Sequence, residues 1–373
     1  MPVTVAVREV GTFTKLADKT TIPGDPPRRL NTRADLYGRL AEPLDLTLGF
    51  ENYKDEGMGD KFQSLFDYLK KTSKPGTSLE EVVGADFVSN RRNLHIFARS
   101  PYEKNKKMQE IQAIKQNGVI FLCDKAEDVE DTSLPYGYKF EQYMTLSEEG
   151  YTRSKYEKVS NATCSKALFR TSIDSGKETI KVLYAAEIDA IDRAGNFVEL
   201  KTTSNNYHKW LQYNSLSEYL QSYLGNIKYI IHGKKNWNEQ KVYRTDRVWT
   251  HEIPKMPVTW NKTTCFEALF GILQRIKSKL EYDDEALVVR IERGEEITFD
   301  PRIGSSPKCR LSSSTVGIRA DRVLMKRCRC LFSMCLLRLH HKLLLCAFLK
   351  VHWLWRIWHI ILVHSRHVKT AEH

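Results

Sequence analysis

Four residues in one short stretch have the types that phosphate chemistry uses: Glu187 and Asp189, then Glu199 and Lys201. The run before them, Ile180 to Ala186, is β-branched, aromatic and apolar, which predicts a strand. Gly195-Asn196 predicts a turn, and Phe197 to Lys201 resumes the strand pattern, so the stretch reads as a β-hairpin. Residues two apart share a face of a strand, and the loop decides whether the two pairs meet. With a three-residue loop at Ala194 to Asn196, Arg193 pairs with Phe197, Ile191 with Glu199 and Asp189 with Lys201. All four polar residues then lie on one face, whereas a two-residue turn would separate them. Carboxylates gathered on one patch repel one another unless a cation neutralises them, and for an all-oxygen site that cation is Mg²⁺ or Mn²⁺. The neighbouring ammonium suits phosphodiester cleavage, where it orients water or stabilises charge on the phosphate. Alternating charges on a solvated strand face have the same pattern, so these residues alone leave both readings open.

The elements that must position this stretch come from a chain of 373 residues, long enough for one large α/β domain or two smaller ones. Its 58 Lys+Arg and 46 Asp+Glu give a formal charge of +12, but from Cys309 onward there are 12 basic and 2 acidic residues. The body keeps 46 against 44, so any affinity for nucleic acid there must come from a local groove. Cys123, Cys164 and Cys265 are scattered, and no CxxC or zinc spacing occurs. A reduced body is expected, in the cytosol or nucleus, with no secretory leader because charges interrupt the N-terminus. The Asn-x-Thr triplets at Asn161 and Asn261 then carry no meaning.

Residues 1–45 read as an irregular arm, with the turn-rich run Pro23 to Arg29. Phe62, Leu65, Phe66 and Leu69 recur at helical spacing and predict an amphipathic helix ending near Lys74-Pro75-Gly76. From Asp86 to Tyr102 three arginines recur, either lining a cleft or lying on a solvated strand edge. Gly118 to Cys123 is a buried strand by composition, and the Glu141 that ends Gly137-Tyr138-Lys139-Phe140-Glu141 could reach the hairpin as a further ligand. Trp210, Tyr213, Leu216, Leu220, Tyr223 and Leu224 predict one helix, with Gln221 a step from its apolar stripe. A strand at Ile227 to Ile231 and a helix at Phe266 to Leu280 follow. Strands and helices interleaved without a strict βαβ repeat predict an α+β fold, a mixed β-sheet core flanked by helices. No GxGxxG or GxxxxGK[ST] cradle is present, which counts against a dinucleotide or P-loop enzyme.

After about Ser305 the composition changes to Leu, Cys, His, Arg and Trp. Leu343 to Val363 is apolar, but Lys350 and Arg356 lie inside it, each costing about 2.5–3.5 kcal/mol near a bilayer centre. A membrane span is therefore not expected, and residues 306–373 read as an atypical tail resembling an out-of-frame or intron-read translation, with an amphipathic membrane anchor as the third option.

Gly137-Tyr138-Lys139-Phe140-Glu141, Glu187-Ile188-Asp189, Glu199-Leu200-Lys201 and Leu220-Gln221-Ser222-Tyr223-Leu224 stand in the order and spacing of the decapping exoribonuclease family. The chain resembles that family, eukaryotic relatives of the PD-(D/E)XK nucleases, over roughly residues 45 to 280. Arg91 fits the family's upstream arginine, with Arg92 as its rival, and Leu48 to Tyr53 has a family look. The resemblance implies a catalytic domain over 46–305 in which Glu141, Asp189, Glu199 and the Leu200 carbonyl bind Mg²⁺ or Mn²⁺. Glu187 would reach a second cation or its water. Lys201 and Gln221 would position the attacking water and the scissile phosphate, and Arg91 would hold the RNA 5′ end. The implied activity is hydrolysis at RNA 5′ ends: release of a GpppN or NAD cap, release of pyrophosphate from 5′-triphosphate RNA, and 5′–3′ degradation. Two other readings share these residues, a non-catalytic RNA-binding relative that stimulates a partner 5′–3′ exonuclease and a DNA-acting PD-(D/E)XK nuclease.

Overall fold

The computed structural model describes residues 1–51, 53–57, 60–103, 108–124 and 134–301. Its strands are β1 (Thr4–Lys15), β2 (Thr21–Pro23), β3 (Gly38–Asp45), β4 (Phe87–Asn90), β5 (Gln109–Gln116), β6 (Val119–Asp124) and β7 (Cys164–Asp174). They continue with β8 (Thr179–Glu187), β9 (Ala190–Ile191), β10 (Phe197–Thr203), β11 (Ile227–Asn236), β12 (Lys241–Trp249), β13 (Ala286–Ile291) and β14 (Thr298–Pro301). The α-helices are α1 (Gln63–Thr72), α2 (Leu79–Val83), α3 (Arg91–Arg99), α4 (Tyr136–Met144), α5 (Tyr207–Tyr213), α6 (Ser215–Leu224) and α7 (Lys262–Lys279).

The strands form two mixed sheets rather than one. Nine strands run in the order β14-β13-β5-β6-β4-β8-β7-β1-β2, and five in the order β3-β12-β11-β10-β9. The parallel pairs are β4 with β6 and β8 in the first sheet and β10 with β11 in the second. Both faces of the large sheet are covered, which is why β8 reads as a nearly unbroken apolar run. Ile180, Val182 and Tyr184 point into the core shared with α3, α6 and α7, while Leu183 packs with Leu65, Phe66 and Leu69 of α1. On the small sheet, Val198, Leu200, Tyr229 and Ile231 pack against Phe140 and Met144 of α4.

Residues 1–45 are not an irregular arm. β1 pairs along its length with β7, some 150 residues on, and β3 closes one edge of the small sheet. The predicted hairpin is also redrawn. β8 ends at Glu187 in the large sheet, and of the hairpin's first arm only the short β9 pairs with β10, with Ile191 opposite Phe197 and Ala190 opposite Val198. The loop centres on Arg193 to Gly195, one residue earlier than expected. Asp192 ties it down: its carboxylate accepts from the amides of Ala194 and Asn196, both at 2.9 Å, and from Tyr229 Oη at 3.1 Å. Moving both arms by one residue leaves the alternation intact, so Glu199 and Lys201 still share a face with what lies opposite. Ile191 opposes Phe197 and not Glu199, and Asp189 comes into line with Glu199 instead of Lys201.

Two further expectations change in detail. The arginine-bearing segment turns from strand to helix at Asn90, whose side chain accepts from Asn93 N at 2.8 Å and caps α3. The helix expected from Trp210 to Leu224 is two helices, broken at Asn214. Among the described residues no helix is long and apolar enough to cross a membrane. The tail after residue 305, including Leu343 to Val363, lies outside the described residues.

Candidate active site

Alternation along β10 sends Glu199 and Lys201 to one face and Val198 and Leu200 into the core below α4. Glu199 is only 1% exposed, yet its carboxylate gathers three side chains from separate elements. Oε1 accepts from Lys201 Nζ at 2.6 Å and from Gln221 Nε2 of α6 at 2.6 Å. Oε2 lies 3.9 Å from Arg91 Nη1, at the first turn of α3, and has no hydrogen-bond partner. Burial alone would push the Glu199 carboxyl up, but the Lys201 and Arg91 cations outweigh it and hold the group below its usual value. Burial likewise opposes the Lys201 charge, and the Glu199 and Asp189 carboxylates overcome it, so this ammonium stays protonated throughout the neutral range.

Asp189 sits where the ladder runs out. β9 covers β10 only as far as Val198, and the next inward amide, Leu200 N, donates to Asp189 Oδ2 at 2.7 Å. A carboxylate thus replaces the strand carbonyl that this edge lacks. Glu141 arrives from a helix, α4, and not from the hairpin's sheet. Glu141, Glu187 and Asp189 line one polar cavity together with Arg28, Tyr138 and Asn161. Burial pushes the Glu141 carboxyl up to about 8, helped by Glu187 and opposed by Lys201 and Arg28. Burial, with Glu199 and Glu141 beside it, raises Asp189 as well.

The donor set is therefore all oxygen, short of positive charge, and includes an unpartnered buried oxygen at Glu199. That chemistry fits a hard divalent cation. In this conformation no three Asp, Glu, His or Cys side chains among the described residues are drawn together at metal-ligand spacing, and Lys201 and Gln221 hold Glu199 instead. The structure brings Arg91, Glu199, Lys201 and Gln221 into contact, sets Asp189 against the Leu200 amide, and places Glu141 and Glu187 on the adjoining cavity. Arg92 is exposed, which favours Arg91 of the two candidates.

Several supporting residues escaped the sequence reading. Arg28, in the supposed arm, reaches the carboxylate cavity because its neighbours pair with β9: Leu30 N donates to Ile191 O and Ile191 N to Arg28 O, both at 2.8 Å. Gly233 lets α4 approach the sheet, since a Cβ there would stand 2.7 Å from the Phe140 ring. At Gly225 a Cβ would stand 2.8 Å from Arg91 Nη1. His232 lies beside Lys201 in the ladder, and its Nε2 is 2.6 Å from Glu218, which also accepts from Trp210 Nε1 at 2.9 Å. Only the glycines carry a sequence signal, as interruptions of apolar runs.

These shifts make cation binding proton-linked. In the metal-free chain Glu141 has a folded value of about 8 against 4.5 unfolded, so the folded state holds the extra proton. Its contribution to stability is full below about pH 4.5 and is lost as pH rises through about 8; Asp189 acts with the same sign. A divalent cation takes the place of those protons, so Mn²⁺ raises the melting temperature more at pH 8 than at pH 6. Melting curves in EDTA and in Mn²⁺ across this range test it, and a stabilisation independent of pH contradicts it.

A family model described as RAI1-like PD-(D/E)XK nuclease matches residues 7–300. The chain is 32% identical over 266 residues to decapping nuclease dom-3 of Caenorhabditis elegans, covering 66% of this chain and 67% of that one. Among solved structures, S. pombe Rai1 in complex with 3′-FADP superposes with a TM-score of 0.62 at 22% identity, over 81% of this chain and 95% of that one. Candida albicans Rai1 in complex with pU5-Mn²⁺ gives 0.65 at 18%, over 81% and 91%. At these identities the structural likeness is one of fold.

Proposed function

Because the chain belongs to the RAI1-like PD-(D/E)XK nuclease family, we propose that it is a metal-dependent decapping nuclease acting on RNA 5′ ends. The observation that carries this reading is the buried Glu199 carboxylate held by Lys201, Gln221 and Arg91, with Asp189 on the Leu200 amide and Glu141 on the adjoining cavity. The dom-3 relative is a decapping nuclease, and a fold relative was solved with pU5 and Mn²⁺, which supports a divalent cation and an RNA substrate here.

In this reading Glu141, Asp189, Glu199 and the Leu200 carbonyl hold Mg²⁺ or Mn²⁺, and Glu187 reaches a second cation or its water. The bound cation supplies Lewis-acid activation of the phosphate and of water. The chain's own residues do the rest. Lys201 keeps a fixed positive charge at the scissile phosphate, Gln221 orients water from α6, and Arg91 holds the RNA 5′ end with its planar fork. The low accessibility of Glu199 keeps bulk water from screening these charges. Removal of GpppN and NAD caps, pyrophosphate release and 5′–3′ degradation are then one hydrolysis in one site. Action in the nucleus or cytoplasm, alongside a partner 5′–3′ exonuclease, belongs to the same proposal.

The purified full chain, given 5′-triphosphate, GpppN-capped, NAD-capped and monophosphate RNAs with Mg²⁺ or Mn²⁺, hydrolyses at least one of them and stops in EDTA. Turnover that persists in EDTA rejects the mechanism. Equal cleavage of matched DNA favours the DNA nuclease, and binding without cleavage favours the non-catalytic relative.

A further inference from the structure

A second cavity, of about 250 Å³, adjoins the carboxylates and shares Tyr138, Asn161 and Glu187 with theirs. Two lysines line it. The register sets Lys15 opposite Cys164 and Lys166 opposite Glu187, so Lys15, Lys166 and Glu187 lie on one face at the end of the large sheet. Lys166 is paired with Asp60. Lys15 is different: it is 2% exposed and, among the described residues, has neither a hydrogen-bond nor an ion-pair partner. A buried ammonium without an anion is costly, and that cost is relieved when a ligand brings the missing charge. Asp55 and Glu187 line the same cavity, but among the described residues neither forms an ion pair or hydrogen bond with Lys15; Asp55 Oδ1 instead accepts from Asn161 Nδ2 at 2.7 Å and Gly57 N at 3.0 Å.

We propose that this cavity receives the phosphates on the departing side of the cleaved bond, the pyrophosphate of a 5′-triphosphate RNA being the simplest case. The inference rests on the decapping reading and gives the substrate a direction. Water adds to the α-phosphorus, the bond from it to the bridging oxygen breaks, and pyrophosphate leaves with the electron pair while one proton passes to solvent. The RNA body has a better match elsewhere. Along the Lys201 face of the small sheet, His232 and Asp246 continue the ladder into a groove of about 470 Å³ lined by Tyr207, Trp210, Lys234 and Arg244. Those rings suit stacked bases, whereas Tyr138 is the only aromatic among the described residues lining the Lys15 cavity.

The test compares wild type, Lys15→Met, Lys15→Arg and the exposed-lysine control Lys228→Met. Lys15→Met lowers kcat/KM on 5′-triphosphate RNA roughly tenfold or more, and lowers it less on 5′-monophosphate RNA. It also weakens calorimetric binding of magnesium pyrophosphate by a similar factor, and Lys15→Arg restores part of both. Thermal unfolding shows whether Lys15→Met is folded; loss of an unpaired buried charge predicts no fall in melting temperature. Equal losses on both RNAs, or unchanged pyrophosphate binding in the folded variant, overturn the cavity assignment and leave the decapping reading standing. Wild type that binds pyrophosphate but cleaves no RNA overturns the decapping reading itself.

Discussion

Glu199→Gln leaves a folded protein whose single-turnover rate on RNA 5′ ends falls by about 10³-fold or more. The substitution keeps volume and can still accept hydrogen bonds from Lys201 and Gln221, but it removes the one charge that both cations and a divalent ion would share. Loss of a carboxylate ligand takes away several kcal/mol of charge stabilisation, which is on the order of a thousandfold in rate. Glu199→Ala goes further, removing the carboxylate that Lys201 and Arg91 share and leaving a void at a buried position, so it lowers stability as well as rate. The glutamine variant therefore carries the test. RNA binding by filter retention survives within a few-fold, and Asp189→Asn behaves alike. A rate within tenfold of wild type in folded Glu199→Gln excludes this carboxylate from the chemistry.

Lys201→Met produces a comparable collapse in turnover, about 10²–10³-fold, with the opposite effect on the cation. Its ammonium is protonated at every working pH, so it acts as a fixed charge and not as a proton acceptor. In the metal-free chain it also occupies Glu199 Oε1, in competition with a divalent ion. Removing it slows catalysis yet leaves Mn²⁺ affinity unchanged or tighter, whereas the Glu199 variants lose affinity. Lys201→Arg keeps the charge but cannot place a compact ammonium at 2.6 Å, and recovers little. Isothermal titration with Mn²⁺ beside the rate measurement separates the two residues. A loss of affinity in Lys201→Met equal to that in Glu199→Gln ends the distinction.

Much of this site was legible because its chemistry is local in sequence. Glu187 to Lys201 announces itself through strand composition, a turn and alternating acids, and β6, β8, α1 and α7 follow from apolar periodicity. What stayed hidden depends on pairing over long distances. β1 carries charges on its open face and a register break between Glu9 and Gly11, and only β7, far along the chain, makes it a strand. Arg28 is invisible for the same reason, since nothing in Pro-Arg-Arg says that the run will lie against β9. The loop displaced by one residue illustrates the narrowness of the argument: the predicted partners were wrong, and parity saved the conclusion.

The Glu187-Ile188-Asp189 link is the short path by which the backbone leaves one sheet and enters the other. Glu187 is anchored to the large sheet and Asp189 to the edge of the small one, so the separation of their oxygens gauges the tilt between the two layers. Anything that rocks one sheet against the other, an incoming nucleotide strand among them, resets the spacing of the acids. Because the acids are fixed to both layers, the spacing that a cation would meet follows from the angle at which the two sheets are packed.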